Sequence, residues 1–166
     1  MTEPRWVAKG REFIGVLEVK GPKHNQKILD FWKSAKLGGI KNDEVPWCAG
    51  YVGGVLEMCG IRSTRADSAR SYLNWGIKLA GPLVGAIVVF ERGASSGHVG
   101  FVIGRTSTGD LIVLGGNQAD QVSLARFDVK RVLGYRWPEE EPVPAASLAA
   151  LPLLRADGMP FSTSEA

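Results

Sequence analysis

The sequence predicts an α+β fold, with helices in the N-terminal half and a roughly five-stranded antiparallel sheet after them. Three observations carry that expectation. Apolar residues in the first half recur at three- and four-residue spacing. From Gly85 onward the period shortens to that of strands. The turns between those later runs are short and glycine-bearing, which favours antiparallel neighbours over crossovers. A chain of 166 residues is long enough for one domain with its own core.

Each element has a local reason. Residues 4–17 read as a helix, with Pro4 suited to a first turn and Trp6, Phe13, Ile14 and Leu17 loosely on one face. Asn25 can cap a second helix, NQKILDFWKSAK, whose buried stripe is Ile28, Leu29 and Trp32. A third helix is expected from Trp47 to Met58, with Gly60 ending it. Gly50, Gly53 and Gly54 are unfavourable inside a helix, and they would let it lie close to a sheet. TRADSARSYLNWG reads as a short fourth helix. GAIVVFE, HVGFVIGR and residues 110–114 read as strands, and VSLARF and VLGYRW as two more, in a simple meander.

The core is expected over residues 1–138. Residues 139–166 form a Pro/Ala-rich tail, read as mobile or loosely docked, with a possible short helix at 145–154. The composition is that of an ordinary soluble globular protein, 45% hydrophobic and 22% charged. A formal net charge of +3 suits an anionic partner without demanding one. Basic residues are scattered among acids, which argues against nucleic acid. The opening MTEPRWVAKG has no apolar core of a signal peptide, and no run is long enough to span a bilayer. The expectation is therefore synthesis in the cytoplasm without a signal peptide and without membrane insertion.

Two cysteines and two histidines are the whole stock of soft ligands and imidazoles. Their spacing fits no zinc site, LGGNQAD lacks the Lys–Ser or Lys–Thr of a phosphate loop, and neither a metal nor an organic cofactor is expected. Cys48 falls at the start of the third helix, where the helix dipole would lower a thiol pKa and backbone amides could face a bound carbonyl. His98 falls at the start of a strand, and Asn117 follows the next strand. Cys, His and Asn in that order suggest a papain-type thiol hydrolase. Each residue alone has a plainer reading: Cys48 as buried filler, His98 as a turn cap, Asn117 as a left-handed turn residue. Cys59 reads as a small buried residue, with no bridge to Cys48. Gly97, Gly100, Gly115 and Gly116 fit a cleft that a substrate backbone approaches closely, or ordinary turns.

PWCAGYV, SARSYLNWG, GHVGFV and LGGNQ, in that order, resemble the CHAP and NlpC-type superfamily of cell-wall cysteine hydrolases. With GPKHNQKILDFW as a leading helical segment, the chain is most similar to the small, phage-associated, endolysin-like branch. The resemblance covers roughly residues 8–138. It implies a papain-like domain with Cys48 as nucleophile, His98 as base and Asn117 as the orienting residue, Gln118 being the alternative for that third role. Trp47 and Trp75 match aromatic positions of the family and would line the cleft, or pack in the core. Asp43 and Glu44 would border the cleft mouth or be loop charges. His24 would border the groove or face solvent. Asp67 is less certain still.

The activity so implied is cleavage of an amide in peptidoglycan, either between N-acetylmuramic acid and L-alanine or within the stem peptide. Action on the wall would then need a holin, host lysis or a secretion machine, with an immunity protein in the last case. Two other functions remain open on the sequence. One is a catalytically silent phage structural or binding module. The other is a cysteine hydrolase acting on a non-wall protein.

Overall fold

The computed structural model describes residues 3–20, 24–40, 46–144, 151–155 and 157. Three α-helices lead: α1 (Arg5–Arg11), α2 (Gln26–Ser34) and α3 (Cys48–Met58). A 3-10 helix, Ala69–Asn74, then gives way to β1 (Ile77–Leu79), β2 (Ile87–Arg92), β3 (Ser96–Arg105), β4 (Leu111–Gly115), β5 (Ser123–Phe127) and β6 (Val132–Trp137). A second 3-10 helix, Val129–Arg131, precedes β6. The fold is α+β, and the sheet has six strands rather than five.

The strand order is β1-β6-β2-β3-β4-β5, and every pairing is antiparallel. β2 to β5 form the expected meander. β6 departs from it, crossing back to pair with β2, with β1 added outside it. β1 escaped notice because three residues, IKL, are too short to show alternation. Register shifts at Val89/Phe90 and Val102/Gly104 mark bulges, which bend strands and sharpen twist. The sheet curls enough that Phe90 of β2 stacks on Phe127 of β5, ring centroids 4.5 Å apart, although two strands separate them.

α3 is the central helix, and its residues 48–56 are all buried. Its glycines face α2 rather than the sheet, a correction to the expectation. A Cβ at Gly50 would sit 2.7 Å from the Trp32 ring, and one at Gly54 would sit 2.8 Å from the Phe31 carbonyl. The unfavourable helix propensity of glycine is thus offset by a close helix pair. Tyr51 ties α3 to α1, its hydroxyl donating to the Gly10 carbonyl at 2.8 Å. Asn25 caps α2 as expected, accepting from the Lys27 amide at 2.9 Å.

α1 stops at Arg11 instead of Leu17. Gly15 takes a positive φ of 98°, and the chain turns into an extended stretch along residues 120–122. There the Gly15 amide donates to the Val122 carbonyl, the Val122 amide to Val16, and the Glu18 amide to Asp120. The expected fourth helix is the 3-10 helix Ala69–Asn74. Beyond β6, Glu141 pairs with Arg5, and the Trp137 indole donates to the Pro142 carbonyl. Leu153 forms a parallel bridge with Arg105. The described part of the expected tail helix, 151–154, is therefore extended, and residues 145–150 lie outside the described residues. No helix among the described residues is long and apolar enough to cross a membrane.

Candidate active site

α3 starts at Cys48, and α3 packs on β3, which carries His98. The Cys48 sulfur meets the backbone amides of Ala49 and of Val99, the residue after His98. Both side chains are buried, Cys48 at 5% exposure and His98 at 3%. Cys48 and Cys59 are free thiols.

The imidazole is held by a network whose polarity can be worked out. Gln118 Nε2 donates to the Ser123 carbonyl at 2.8 Å and to the Val113 carbonyl at 3.2 Å. Carbonyls only accept, so the amide nitrogen must face them and Oε1 must face His98. Oε1 lies 2.9 Å from His98 Nε2. An amide oxygen also only accepts, so Nε2 carries the proton and donates. In the neutral ring this leaves Nδ1 as the nitrogen able to accept a proton.

The loop that delivers Gln118 is strained. Asn117, Ala119 and Asp120 all have φ between 56° and 59°, a left-handed region costly for residues with a Cβ. The extended stretch after α1 braces it from one side. Lys20 adds ion pairs to Glu18 at 3.1 Å and Asp120 at 3.2 Å. Gly115 leaves the room the network needs, since a Cβ there would fall 2.2 Å from Gln118 Oε1.

Aromatic rings close the site. The His98 ring lies beside the stacked pair of Phe90 and Phe127, at 6.3 Å and 5.1 Å from them, with interplanar angles of 25° and 17°. Sequence reasoning missed Phe127. Nothing in VSLARF marks it, because only the curl of the sheet brings it to β3. A cavity of about 540 Å³ opens beside His98, lined also by Asn117, Gln118, Phe127, Arg92 and Arg131. The two arginines were likewise invisible as site residues.

Burial decides the protonation states. It pushes the Cys48 thiol above its ordinary pKa, against the lowering by the Val99 and Ala49 amides and the Arg92 charge. Burial also lowers His98 to about 4, against the Gln118 bond and with the help of Arg92 and Arg131. The expected dipole-lowered thiolate is thus outweighed by desolvation. At neutral pH the resting pair is thiol and neutral imidazole.

The other expected residues are dispersed. Asn117 lines the cavity but makes no side-chain hydrogen bond among the described residues; Gln118, rather than Asn117, reaches the imidazole. The reason is local: the left-handed turn at Asn117 hands that position to the next side chain. Trp47 is fully buried rather than cleft-lining, its indole donating to Glu18 at 3.1 Å. Gly116 makes room for Trp47 and Tyr51, and a Cβ there would lie 2.5 Å from Tyr51 Cβ. Its space is filled by the core, not left for substrate. Gly97 sits in β3 opposite Glu91, against Arg70, whose guanidinium clamps the Ser96 and Gly93 carbonyls. Trp75 donates to the Arg62 carbonyl and lines a separate cavity with Arg62 and Glu139. His24 is half-buried before α2 and does not line the His98 cavity. Asp43 and Glu44 lie outside the described residues. No cluster of metal-binding side chains occurs among the described residues.

No curated protein matches the chain. Residues 40–117 match the family model described as CHAP domain, a span that contains Cys48 and His98 and stops just before Gln118. That match spans 78 of the 166 residues and supports a likeness, over residues 40–117, to the CHAP-type superfamily of peptidoglycan hydrolases.

Proposed function

We propose that this protein cleaves an amide bond of peptidoglycan, with Cys48 as nucleophile, His98 as general base and Gln118 as the residue that orients the imidazole. The observation that carries the reading is the fixed tautomer. Gln118, pinned by two carbonyls, holds the proton on Nε2 and leaves Nδ1 to take one. Val99, whose amide meets the Cys48 sulfur, is the next residue along the same strand.

The chemistry then follows. Nδ1 removes the Cys48 proton as the sulfur attacks the carbonyl carbon, so a neutral pair becomes reactive only when substrate is present. The backbone amide beside Cys48 faces the developing oxyanion. The His98 proton passes to the departing nitrogen, the C–N bond breaks, and a thioester remains on Cys48. Water, deprotonated by His98, then releases the acid and restores the thiol. These residues need no metal or organic cofactor for the cycle. Action on the wall after holin-dependent release, or after secretion with an immunity partner, is the cellular setting this reading suits. An endolysin-like phage origin belongs to the same reading.

Digestion of chemically defined peptidoglycan by wild type and by Cys48→Ala, with products read by mass spectrometry, tests it. Intact stem peptides released by wild type alone mean an amidase. Cleaved stems still attached to sugar mean an endopeptidase. Identical products from both proteins sink the reading. One observation favours a second reading, a catalytically silent module: Cys48 is only 5% exposed. That reading requires wild type to bind peptidoglycan and leave it intact.

A further inference from the structure

The cavity beside His98 holds two cations and no acid. Arg92 ends β2, Arg131 ends the 3-10 helix before β6, and both line the cavity. No Asp or Glu is among the lining residues. Arg131 is fixed in place: Nε and Nη2 donate to the Glu91 carbonyl at 3.3 and 3.1 Å, and the guanidinium lies 5.7 Å from the Phe127 ring centroid. Arg92 makes no ion pair or side-chain hydrogen bond among the described residues, so its donors are free for a ligand. Elsewhere arginines do find partners: Arg5 pairs with Glu141, Arg11 with Glu3, Arg65 with Glu57 and Arg126 with Asp110. Arg62 and Arg105, like Arg92, have no ion pair among the described residues, so what sets Arg92 and Arg131 apart is that both line one cavity with no acid in its lining.

The geometry points to a carboxylate-recognition site formed by Arg92 and Arg131, which selects substrates whose departing amine half bears a free carboxylate. The inference rests on the amide-hydrolase reading above. A guanidinium presents a planar fork of donors that matches two carboxylate oxygens. A cavity of one sign with low-dielectric walls also focuses its field on an incoming anion. Polar neighbours Asn117, Gln121 and Ser123 supply further hydrogen-bonding groups around it.

The side of the substrate follows from what lines the cavity. His98 does and Cys48 does not. The acyl half becomes bonded to the Cys48 sulfur. The amine half departs with the proton that His98 gives its nitrogen. The group that fills a cavity on the His98 side therefore belongs to the amine half. Its carboxylate is bound and is not altered by the reaction.

The test uses two synthetic stem-peptide amides, identical except for a carboxylate or a carboxamide on the amine half. Wild type is expected to favour the carboxylate by roughly tenfold or more in kcat/KM, the scale of a charge-assisted hydrogen bond. Arg92→Gln should bring that ratio toward one, and Arg92→Lys should keep part of it. Because both substrates meet the same enzyme, any effect of Arg92 on the protonation of Cys48 or His98 cancels in the ratio. A ratio near one for wild type, or an undiminished ratio in Arg92→Gln, overturns the proposal. Calorimetric titration of Cys48→Ala with the two amine products gives an independent reading. Tighter binding of the carboxylate form, weakened by adding Arg92→Gln, upholds the site, and equal binding of the two forms overturns it. If wild type cleaves neither substrate but Cys48→Ala still binds the carboxylate selectively, the hydrolase reading falls and the site stands.

Discussion

Gln118 Oε1 lies 2.9 Å from His98 Nε2, and the same Gln118 side chain donates through its nitrogen to the carbonyls of Val113 and Ser123. The amide therefore cannot rotate to present its nitrogen to the ring without breaking two bonds. A neutral side chain in this role fixes ring orientation and tautomer, but it brings no negative charge to steady an imidazolium. In the mechanism proposed above, the proton that His98 takes must therefore move in concert with substrate attack.

Replacement of Gln118 should consequently reduce kcat more than it raises KM. Gln118→Ala loses the bond to Nε2 and leaves buried carbonyls unpaired, each such loss being worth roughly 1–3 kcal/mol. The expected fall in kcat is about ten- to hundredfold, with a lower melting temperature. Gln118→Glu keeps an acceptor for Nε2 but cannot donate to Val113 and Ser123, so it should raise the apparent pKa of His98 and shift the pH–rate profile. Wild-type kcat and an unmoved profile in both variants would remove Gln118 from the site.

His98 sets an acid limit on stability. Burial holds its folded-state pKa near 4, below the ordinary 6.5, so added protons favour the unfolded chain. The contribution is complete above pH 6.5 and is lost as pH falls from there toward 4. Its size is roughly 3 kcal/mol. Glu57 follows the same sign lower down: burial opposes ionisation, but bonds from Arg65 and Ser63 prevail and hold it below its ordinary 4.5. Urea unfolding of wild type between pH 7 and 4.5 should show a steep loss that His98→Asn lacks. Parallel curves for the two proteins would show that His98 is not buried in its neutral form.

The thiol of Cys48 makes a complementary prediction. Burial raises its pKa while His98 is lowered, so no thiolate–imidazolium pair is stored in the free enzyme. Alkylation of Cys48 by iodoacetamide, read by peptide mass against the more exposed Cys59, should be slow at pH 6 and rise only above the usual thiol range. A fast plateau at low pH would instead mean a preformed ion pair, and would place the charge on the resting site.

How far these features could be read beforehand depended on whether they are written locally. Asn25 announces its helix because a cap is a contact between residues two apart, whereas α3 starts without a side-chain cap. His98 lies two residues inside β3, a strand whose apolar run after it is written in the sequence. Phe127, Arg92 and Arg131 carry no such mark, because bulges at Val89 and Val102 and the return of β6 to β2 decide what faces the imidazole. The choice between Asn117 and Gln118 was equally closed to inspection. It turns on one backbone dihedral at Asn117, and two neighbouring polar residues offer the same chemistry until that angle is known. Trp47 misled for a related reason: a tryptophan next to a reactive cysteine suits a cleft, yet a buried acceptor on Glu18 drew its indole inward.

The end of the chain bears on the stability of β3 itself. The Arg105 amide donates to the Pro152 carbonyl at 2.9 Å, and the Leu154 amide donates back to the Arg105 carbonyl at 2.8 Å. Leu154 is buried to 9% exposure over Gly104, where a Cβ would fall 2.5 Å from its Cδ1. That contact covers the strand next to the register shift between Val102 and Gly104, where ladder bonding to β4 is interrupted. Leu154→Ala should therefore destabilise by about 2 kcal/mol, near the low end for a buried leucine because the site lies at the rim. Gly104→Ala should cost at least as much, since its Cβ would press on both Leu154 and the Pro152 carbonyl, at 2.8 Å. The two changes share the Leu154 part of that contact, so the double variant should lose less than the sum of the singles. Chemical unfolding of all four proteins checks this, and strict additivity would mean that residues 151–154 do not rest on β3 in solution.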